Sequence, residues 1–247
     1  MRTYTIEDFI EGANRAKSTQ EVSQLFSDVL KNYGYDRFCY SLVTDHPSLG
    51  LDAGHGIIAN YPDDWMLHYR TNQYEKKDPV PRQAFKTVRP FTWDSLSHTQ
   101  DLASDEKRVL NEAREAGLLD GAAIPIYGRN GELAGVGMAS STGGIKADAN
   151  VLSKLRTLAM QFHLAFTDLE KENRAAKSVH LTSREKEILL WAAEGKSDSV
   201  IGEIIGVSHA TIRFHMNNIF KKLGANERTL ATVKAIRQGL ILPSYIG

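Results

Sequence analysis

Apolar positions near the start of the chain recur at helical spacing. Thr5 opens a capping-box pattern, with Asp8 standing in for Glu at the third helical position, and the helix is expected to run to about Ala16. Ser18 begins a second helix through Leu30, with Val22, Leu25, Phe26, Val29 and Leu30 as its buried face. The period then shortens. Phe38–Val43 alternates and is rich in aromatic residues, which reads as a strand, and Gly54–Ala59 reads as a second. Tyr61-Pro62-Asp63-Asp64 starts a helix carrying Trp65 and Tyr69, with Tyr74 as a candidate extension of the stripe. Further helices are expected from Pro79 or Pro81 to Lys86 and from Leu102 to Ala116. Within Gly121–Ser140 two alternating apolar runs flank Asn130-Gly131, a strong hairpin signal. Helices flanking several antiparallel strands predict an α+β fold, an α-β-α sandwich of three layers around an antiparallel sheet.

Asn150–Glu170 predicts a long helix with Leu152, Leu155, Leu158, Ala159, Phe162, Ala165, Phe166 and Leu169 apolar. One side suits its own sheet, and the width of the stripe leaves surface for a partner helix, so a homodimer is expected; the alternative is that the whole stripe is intramolecular core. Lys171–Lys177 is polar and lacks core residues, which predicts a linker over 171–179. Beyond it, Leu181–Gly224 contains two short amphipathic helices, a tight turn and a third helix. Ile201, Ile204 and Ile205 are expected on one buried face, Gly206-Val207-Ser208 breaks the helix, and Ile212, Met216, Ile219, Phe220 and Leu223 form the next stripe. That order is the helix-turn-helix pattern, whose second helix enters the major groove of DNA. The predicted division is therefore residues 1–170, a linker 171–179, and an all-α helix-turn-helix domain over 180–247.

Charge sharpens this division. The 247 residues carry no net formal charge, but residues 1–175 hold 20 Lys and Arg against 24 Asp and Glu, and residues 176–247 hold 10 against 6. A basic tail on an acidic body is what a phosphate-binding module needs. The single cysteine, Cys39, excludes an internal disulfide and a cysteine-based zinc site, and its apolar neighbours suggest core packing. With neither a signal-peptide pattern nor a long apolar run, the expectation is a soluble, cytoplasmic protein without a membrane partner.

Enzyme signatures are absent: there is no G-x-S-x-G, no H-E-x-x-H and no Walker loop, and Gly135-Val136-Gly137 lacks the third glycine of a dinucleotide fingerprint. Neither catalytic residues nor metal ligands nor a cofactor are expected. The informative stretch is YPDDWMLHYRTNQYEKKDPVPRQAFKTVRPFTW, Tyr61 to Trp93, which gathers aromatic rings with hydrogen-bonding handles around a carboxylate. A small-molecule pocket needs mostly apolar walls and a few oriented polar groups. Trp65 and Trp93 donate through indole N–H groups, Tyr61 and Tyr69 donate or accept, and an ionised Asp78 only accepts. Taken alone, Asp78 before Pro79 also reads as a helix N-cap, and Trp65 with Tyr69 as a plain core stripe.

LTSREKEIL, EGK and IGEIIGVSHATIRFHMNNIFKKLG resemble the DNA-binding domain of LuxR-type regulators, with Glu185, Leu189 and Gly195 on near-fixed positions of that family. The Tyr61–Trp93 stretch resembles the acyl-homoserine-lactone-binding domain of the quorum-sensing members, so the resemblance spans essentially the whole chain. It implies a ligand-responsive transcriptional regulator that senses an N-acyl- or aryl-homoserine lactone as a dimer, and not an enzyme. The alternative is a LuxR-type regulator whose first domain is a dimerisation or protein-interaction platform. Position by position, the resemblance gives Trp65 the lactone carbonyl, Asp78 the amide N–H, Tyr61 and Tyr69 the acyl side and Trp93 a place over the lactone ring, with Gly121 leaving room beside it. Met66, Val80 and Met138 are candidates for shaping the acyl pocket. Gly137 stands where many relatives carry a Ser or Thr that binds the amide carbonyl, so a tyrosine takes over or the acyl part is unusual. On the DNA side, Thr211, Arg213, Phe214 and Asn217 are the groove-facing candidates, and Lys196, Lys221 and Lys222 the phosphate candidates. Double-stranded DNA with a pseudo-palindromic promoter site is the implied partner, and RNA polymerase a further candidate.

Overall fold

The computed structural model describes residues 4–47, 49–99, 101–128, 131–174 and 179–243. The chain divides into two compact units, one drawn from the stretch up to Asn173 and one centred on Arg174–Gly247.

The first unit opens with α1 (Ile6–Arg15) and α2 (Thr19–Leu30). The expected caps are in place: Thr5 Oγ1 accepts from the Asp8 N–H at 3.1 Å while Asp8 accepts from the Thr5 N–H, and Ser18 Oγ accepts from the Glu21 N–H. Then come β1 (Arg37–Leu42), β2 (Gly54–Ala59), α3 (Asp63–Thr71), α4 (Pro79–Ala84), β3 (Phe91–Thr92), α5 (Trp93–Thr99) and α6 (Ser104–Glu115). The hairpin strands β4 (Asp120–Tyr127) and β5 (Leu133–Ser140) follow, then α7 (Ala149–Arg174). Strand order is β2-β1-β5-β4-β3, with every neighbouring pair antiparallel.

The alternation of β1 sorts its side chains by size. Phe38 and Tyr40 point to one face, where their rings meet Phe162 of α7 at 5.9 and 5.3 Å, and Phe26 of α2 packs on Phe38 at 5.1 Å. The Tyr40 hydroxyl and His163 Nδ1 satisfy each other at 2.8 Å inside this layer. Cys39 points the other way, into a cluster with Tyr61, just ahead of α3, and with Trp65, Tyr69, Val109 and Ala113 from the helices of the opposite layer. Helices on both faces of an antiparallel sheet make the expected three-layer sandwich.

Several details of the first unit differ from the sequence expectation. The helix expected to end at Glu170 continues to Arg174, because Lys, Glu and Arg are good helix formers and nothing breaks the run; residues 175–178 of the expected linker, like Asn130 of the hairpin turn, lie outside the described residues. β3 and α5 were not anticipated, since two residues are too few to show alternation. Thr92 Oγ1 accepts from the Ser95 N–H at 3.0 Å and so starts α5 at Trp93.

The second unit contains α8 (Ser183–Ala193), α9 (Asp198–Ile205), α10 (His209–Leu223) and α11 (Arg228–Arg237). They enclose a core of Leu181, Ile188, Leu189, Ile201, Ile212, Met216, Ile219, Leu223, Ala231 and Ala235. Ile204 is not part of it: the residue is 44% exposed. A Cβ on the buried Gly202 would lie 2.7 Å from the Val207 carbonyl, so α9 meets the following turn along its glycine side, which turns Ile204 outward. Among the described residues no helix is long and apolar enough to cross a membrane.

Candidate functional site

The second face of the sheet is paved with small residues. Register places Cys39, Gly137 and Ala123 in one row across β1, β5 and β4, and Ser41, Gly135 and Pro125 in the next. Such a floor leaves volume between the sheet and the helices above it. The space is walled by Tyr61, Trp65, Tyr69, Asp78, Val80 and Trp93, with Gly137 on the floor. Apolar and aromatic walls with a few oriented polar groups are the lining a small-molecule site needs. Seven of the eight expected ligand residues thus line one cavity. Gly121 does not. Met66 is buried beside Trp65, and Met138 is fully buried.

The polar centre of the cavity is Asp78. Its Oδ2 accepts from the Tyr69 hydroxyl at 3.0 Å and its Oδ1 from the Val80 N–H at 2.8 Å, so the carboxylate is at once the N-cap of α4 and a pocket wall. Burial raises its pKa to about 6 against the pull of these two hydrogen bonds. The carboxylate remains mostly ionised at neutral pH and keeps unused lone pairs. Tyr69 is itself held from behind: the His55 ring stacks on it at 4.1 Å and 13°. Burial, and next the nearby Arg70 charge, lower the His55 pKa to about 4, so the ring is neutral. Its Nδ1 lies 3.4 Å from Ser41 Oγ, which also accepts from the Gly56 N–H at 3.0 Å, and its Nε2 lies 3.6 Å from Cys39 Sγ. Burial pushes the Cys39 thiol up to about 12, which leaves it protonated and unreactive. Ser41 and His55 were not singled out from the sequence, and no local signal marks them: the pairing of β1 with β2 brings them to the cavity.

Trp93 closes one end. Its ring lies so close over Gly121 that a Cβ there would come within 2.0 Å of it. The room left by Gly121 is therefore taken by Trp93 itself, not by free space beside a ligand. The buried Trp93 Nε1 has no hydrogen-bond partner among the described residues. At Gly137 an added Cβ would lie 3.0 Å from the Tyr61 hydroxyl, so that phenol reaches the position where a strand hydroxyl was missing. Burial raises the pKa of Tyr61 well above the ordinary phenol value, and the group stays a neutral donor.

The second unit presents the other candidate surface. Gly206 adopts the left-handed conformation (φ 70°) that stops α9, and Ser208 Oγ accepts from the Thr211 N–H at 3.1 Å to start α10. The Ile212, Met216, Ile219 and Leu223 stripe is buried, which turns Arg213, Phe214, Asn217 and Lys221 outward. The Thr211 hydroxyl is 2.9 Å from Ser208 Oγ and belongs to the cap. Lys221 and Lys196 are exposed. Lys222 differs from them, since its Nζ donates to Glu185 Oε2 at 2.7 Å, and Glu185 is only 4% exposed. Burial pushes the Glu185 carboxyl up, but hydrogen bonds from Lys222 and Thr182 hold it below the usual carboxylate range. Lys222 is thus a structural counter-ion between α8 and α10. Among the described residues no group of three His, Cys, Asp or Glu side chains is arranged to hold a metal.

A small-molecule cavity in one unit and a helix-turn-helix in the other define the class of one-component, ligand-responsive regulators. The sequence model of the autoinducer binding domain matches residues 18–166, and that of the bacterial regulatory proteins of the luxR family matches residues 179–235. The transcriptional activator BjaR1 of Bradyrhizobium diazoefficiens is 31% identical over 241 residues, covering 96% of each chain. The quorum sensing-dependent regulator RpaR of Rhodopseudomonas palustris is 30% identical over 235 residues, covering 95% of this chain and 93% of its own. In fold, the crystal structure of Escherichia coli SdiA superposes with a TM-score of 0.78 at 24% identity, covering 96% and 97% of the two chains. The chain belongs to the LuxR family of quorum-sensing transcriptional regulators, with an autoinducer-binding domain ahead of its DNA-binding helix-turn-helix.

Proposed function

We propose that the cavity binds an N-acyl- or aryl-homoserine lactone and that its occupancy controls DNA binding by a homodimer, without catalysis. The observation that carries this reading is the convergence of Trp65 and Tyr69 of α3, Asp78 at the start of α4 and Trp93 at the start of α5, three separate segments, on one apolar cavity with a small-residue floor. In it Asp78 accepts from the ligand amide N–H while keeping its bonds to Tyr69 and Val80. Trp65 donates to the lactone carbonyl, and Trp93 covers the ring with an unpartnered Nε1 as a further donor. Tyr61, over Gly137, takes the amide carbonyl in place of a strand Ser or Thr. Val80 and Gly137 bound the acyl part. The first domain spans 1–170, the linker 171–179 and the DNA-binding domain 180–247, with Arg213, Phe214 and Asn217 toward the bases and Lys196 and Lys221 toward phosphate. Leu164, 47% exposed on α7, supports a helix–helix dimer contact.

The test is the melting temperature of the purified protein against a panel of acyl- and aryl-homoserine lactones. A ligand that binds only the folded state adds RT ln(1 + [L]/Kd), about 2.7 kcal/mol at a hundredfold excess over Kd. One panel member should raise Tm by several degrees. If none does while the protein stays a folded, DNA-binding dimer, the first domain is a dimerisation platform and the cavity residues are core.

A further inference from the structure

The buried stripe of α10 leaves an outer face made of Ala210, Arg213, Phe214, Asn217 and Lys221, whose separations of three or four residues (210 to 213 and 214, these two to 217, and 217 to 221) put them on one side of the helix. Four of these five residues are what a helix facing nucleic acid requires: a methyl-bearing small residue, two cations and an amide. Phe214 is the odd one. It sits near the middle of that face, opposite Ile212, Met216 and Ile219, and is 62% exposed. Its only ring contact among the described residues is an edge-on approach to His215 at 5.7 Å. No fold requirement explains a phenyl ring there, since the unit's core is complete without it.

We infer that Phe214 reads the C5-methyl group of a thymine in each half-site. The major-groove edges of the base pairs are polar donors and acceptors, and the thymine methyl is the one apolar group among them. A phenyl ring has no hydrogen bond to offer, so this methyl is the feature of the groove it recognises. Arg213 and Asn217, one residue before and three after, carry the hydrogen-bonding groups that suit the flanking bases. The side chain therefore acts as a specificity determinant and not as a general source of affinity. This inference rests on the regulator reading above.

The experiment uses the full-length protein, with and without a mixture of short- to long-chain N-acyl-homoserine lactones, to select duplexes from a random-sequence pool. Binding is then measured on the enriched site and on copies in which each thymine in turn is replaced by uracil, which deletes only the methyl. The wild type should show one thymine per half-site whose replacement weakens binding about fourfold, the worth of one buried methyl. Phe214→Ala, which folds because the residue is exposed, should bind the thymine and uracil sites equally, and Phe214→Leu should keep part of the preference. The inference is overturned if no thymine is sensitive to uracil replacement, or if Phe214→Ala keeps the wild-type ratio. No enrichment under either condition overturns the regulator reading together with it.

Discussion

The Tyr69 hydroxyl donates to Asp78 Oδ2 across the wall of the cavity, while the other oxygen of the same carboxylate caps α4. This arrangement fixes the Asp78 rotamer before any ligand arrives, so the energy of a ligand hydrogen bond is not spent on ordering the side chain. It also joins two readings that compete in the sequence, helix cap and ligand acceptor: the carboxylate has enough lone pairs to be both.

Asp78→Asn keeps an oxygen for the Val80 N–H, places an amide NH2 opposite the Tyr69 hydroxyl, which then accepts instead of donating, and removes the charge. The protein should fold with a Tm close to wild type, and its affinity for the lactone that shifts the wild type should fall by about 10-fold or more, as expected for a charge-assisted hydrogen bond worth ~1.5–3 kcal/mol. Calorimetric titration of both proteins checks this; equal affinities would remove Asp78 from the ligand contacts.

The pH dependence follows from the same group. A carboxyl whose folded-state pKa is raised to about 6 resists ionisation in the fold. Its stability contribution is present below the unfolded value near 3.9 and is lost as pH rises through about 6. Binding of an N–H donor favours the ionised form and runs the other way: affinity should strengthen as pH rises through about 6 and level off above about 7. The ligand-induced Tm shift should thus be smaller at pH ~5 than at pH ~7.5, and Asp78→Asn should flatten the profile.

Gly121→Ala places a methyl where the Trp93 ring lies. The ring has to move, at about 1–3 kcal/mol of stability, the usual cost of overpacking. Thermal unfolding should report the loss and the intrinsic tryptophan fluorescence a changed environment. A wild-type spectrum and Tm would show that the two groups do not touch.

Lys221 and Lys222 are neighbours with opposite expectations. Lys222→Ala leaves the buried Glu185 without its counter-ion and should lower stability by about 1–3 kcal/mol. Lys221→Ala should leave Tm unchanged and reduce the salt dependence of DNA binding by about one unit in the log–log slope. Melting curves and binding titrated against salt separate the two.

What the sequence made legible was what depends on near neighbours. The caps at Thr5, Ser18 and Ser208 were readable because each is a hydrogen bond across three residues. Trp65, Tyr69 and Asp78 stood out because their chemistry is dense within one stretch and resembles a known family. Ser41 and His55 were not readable, since β1–β2 pairing places them, and nothing around either residue points to a cavity. α11 was missed because its buried face is built from Ala231 and Ala235, too small to raise an apolar signal. Ile204 was misplaced because periodicity shows that a helix has an apolar side but not that a glycine contact will turn one member of it outward. The roles of Lys221 and Lys222 likewise diverge only through the distant Glu185.

The two glycines on the cavity floor carry different evolutionary freedom. A Cβ on Gly135 would meet nothing nearer than 3.8 Å, whereas one on Gly137 would press on the Tyr61 hydroxyl at 3.0 Å. Alanine or serine at position 135 therefore fits without displacing a neighbour, and each added atom takes volume from the cavity. On the proposed lactone reading, a lineage of such receptors can change the signal it hears by single steps at that site, while the groups around Asp78 and Trp93 stay unaltered. New dialects of one signal chemistry can arise without passing through a receptor that is deaf.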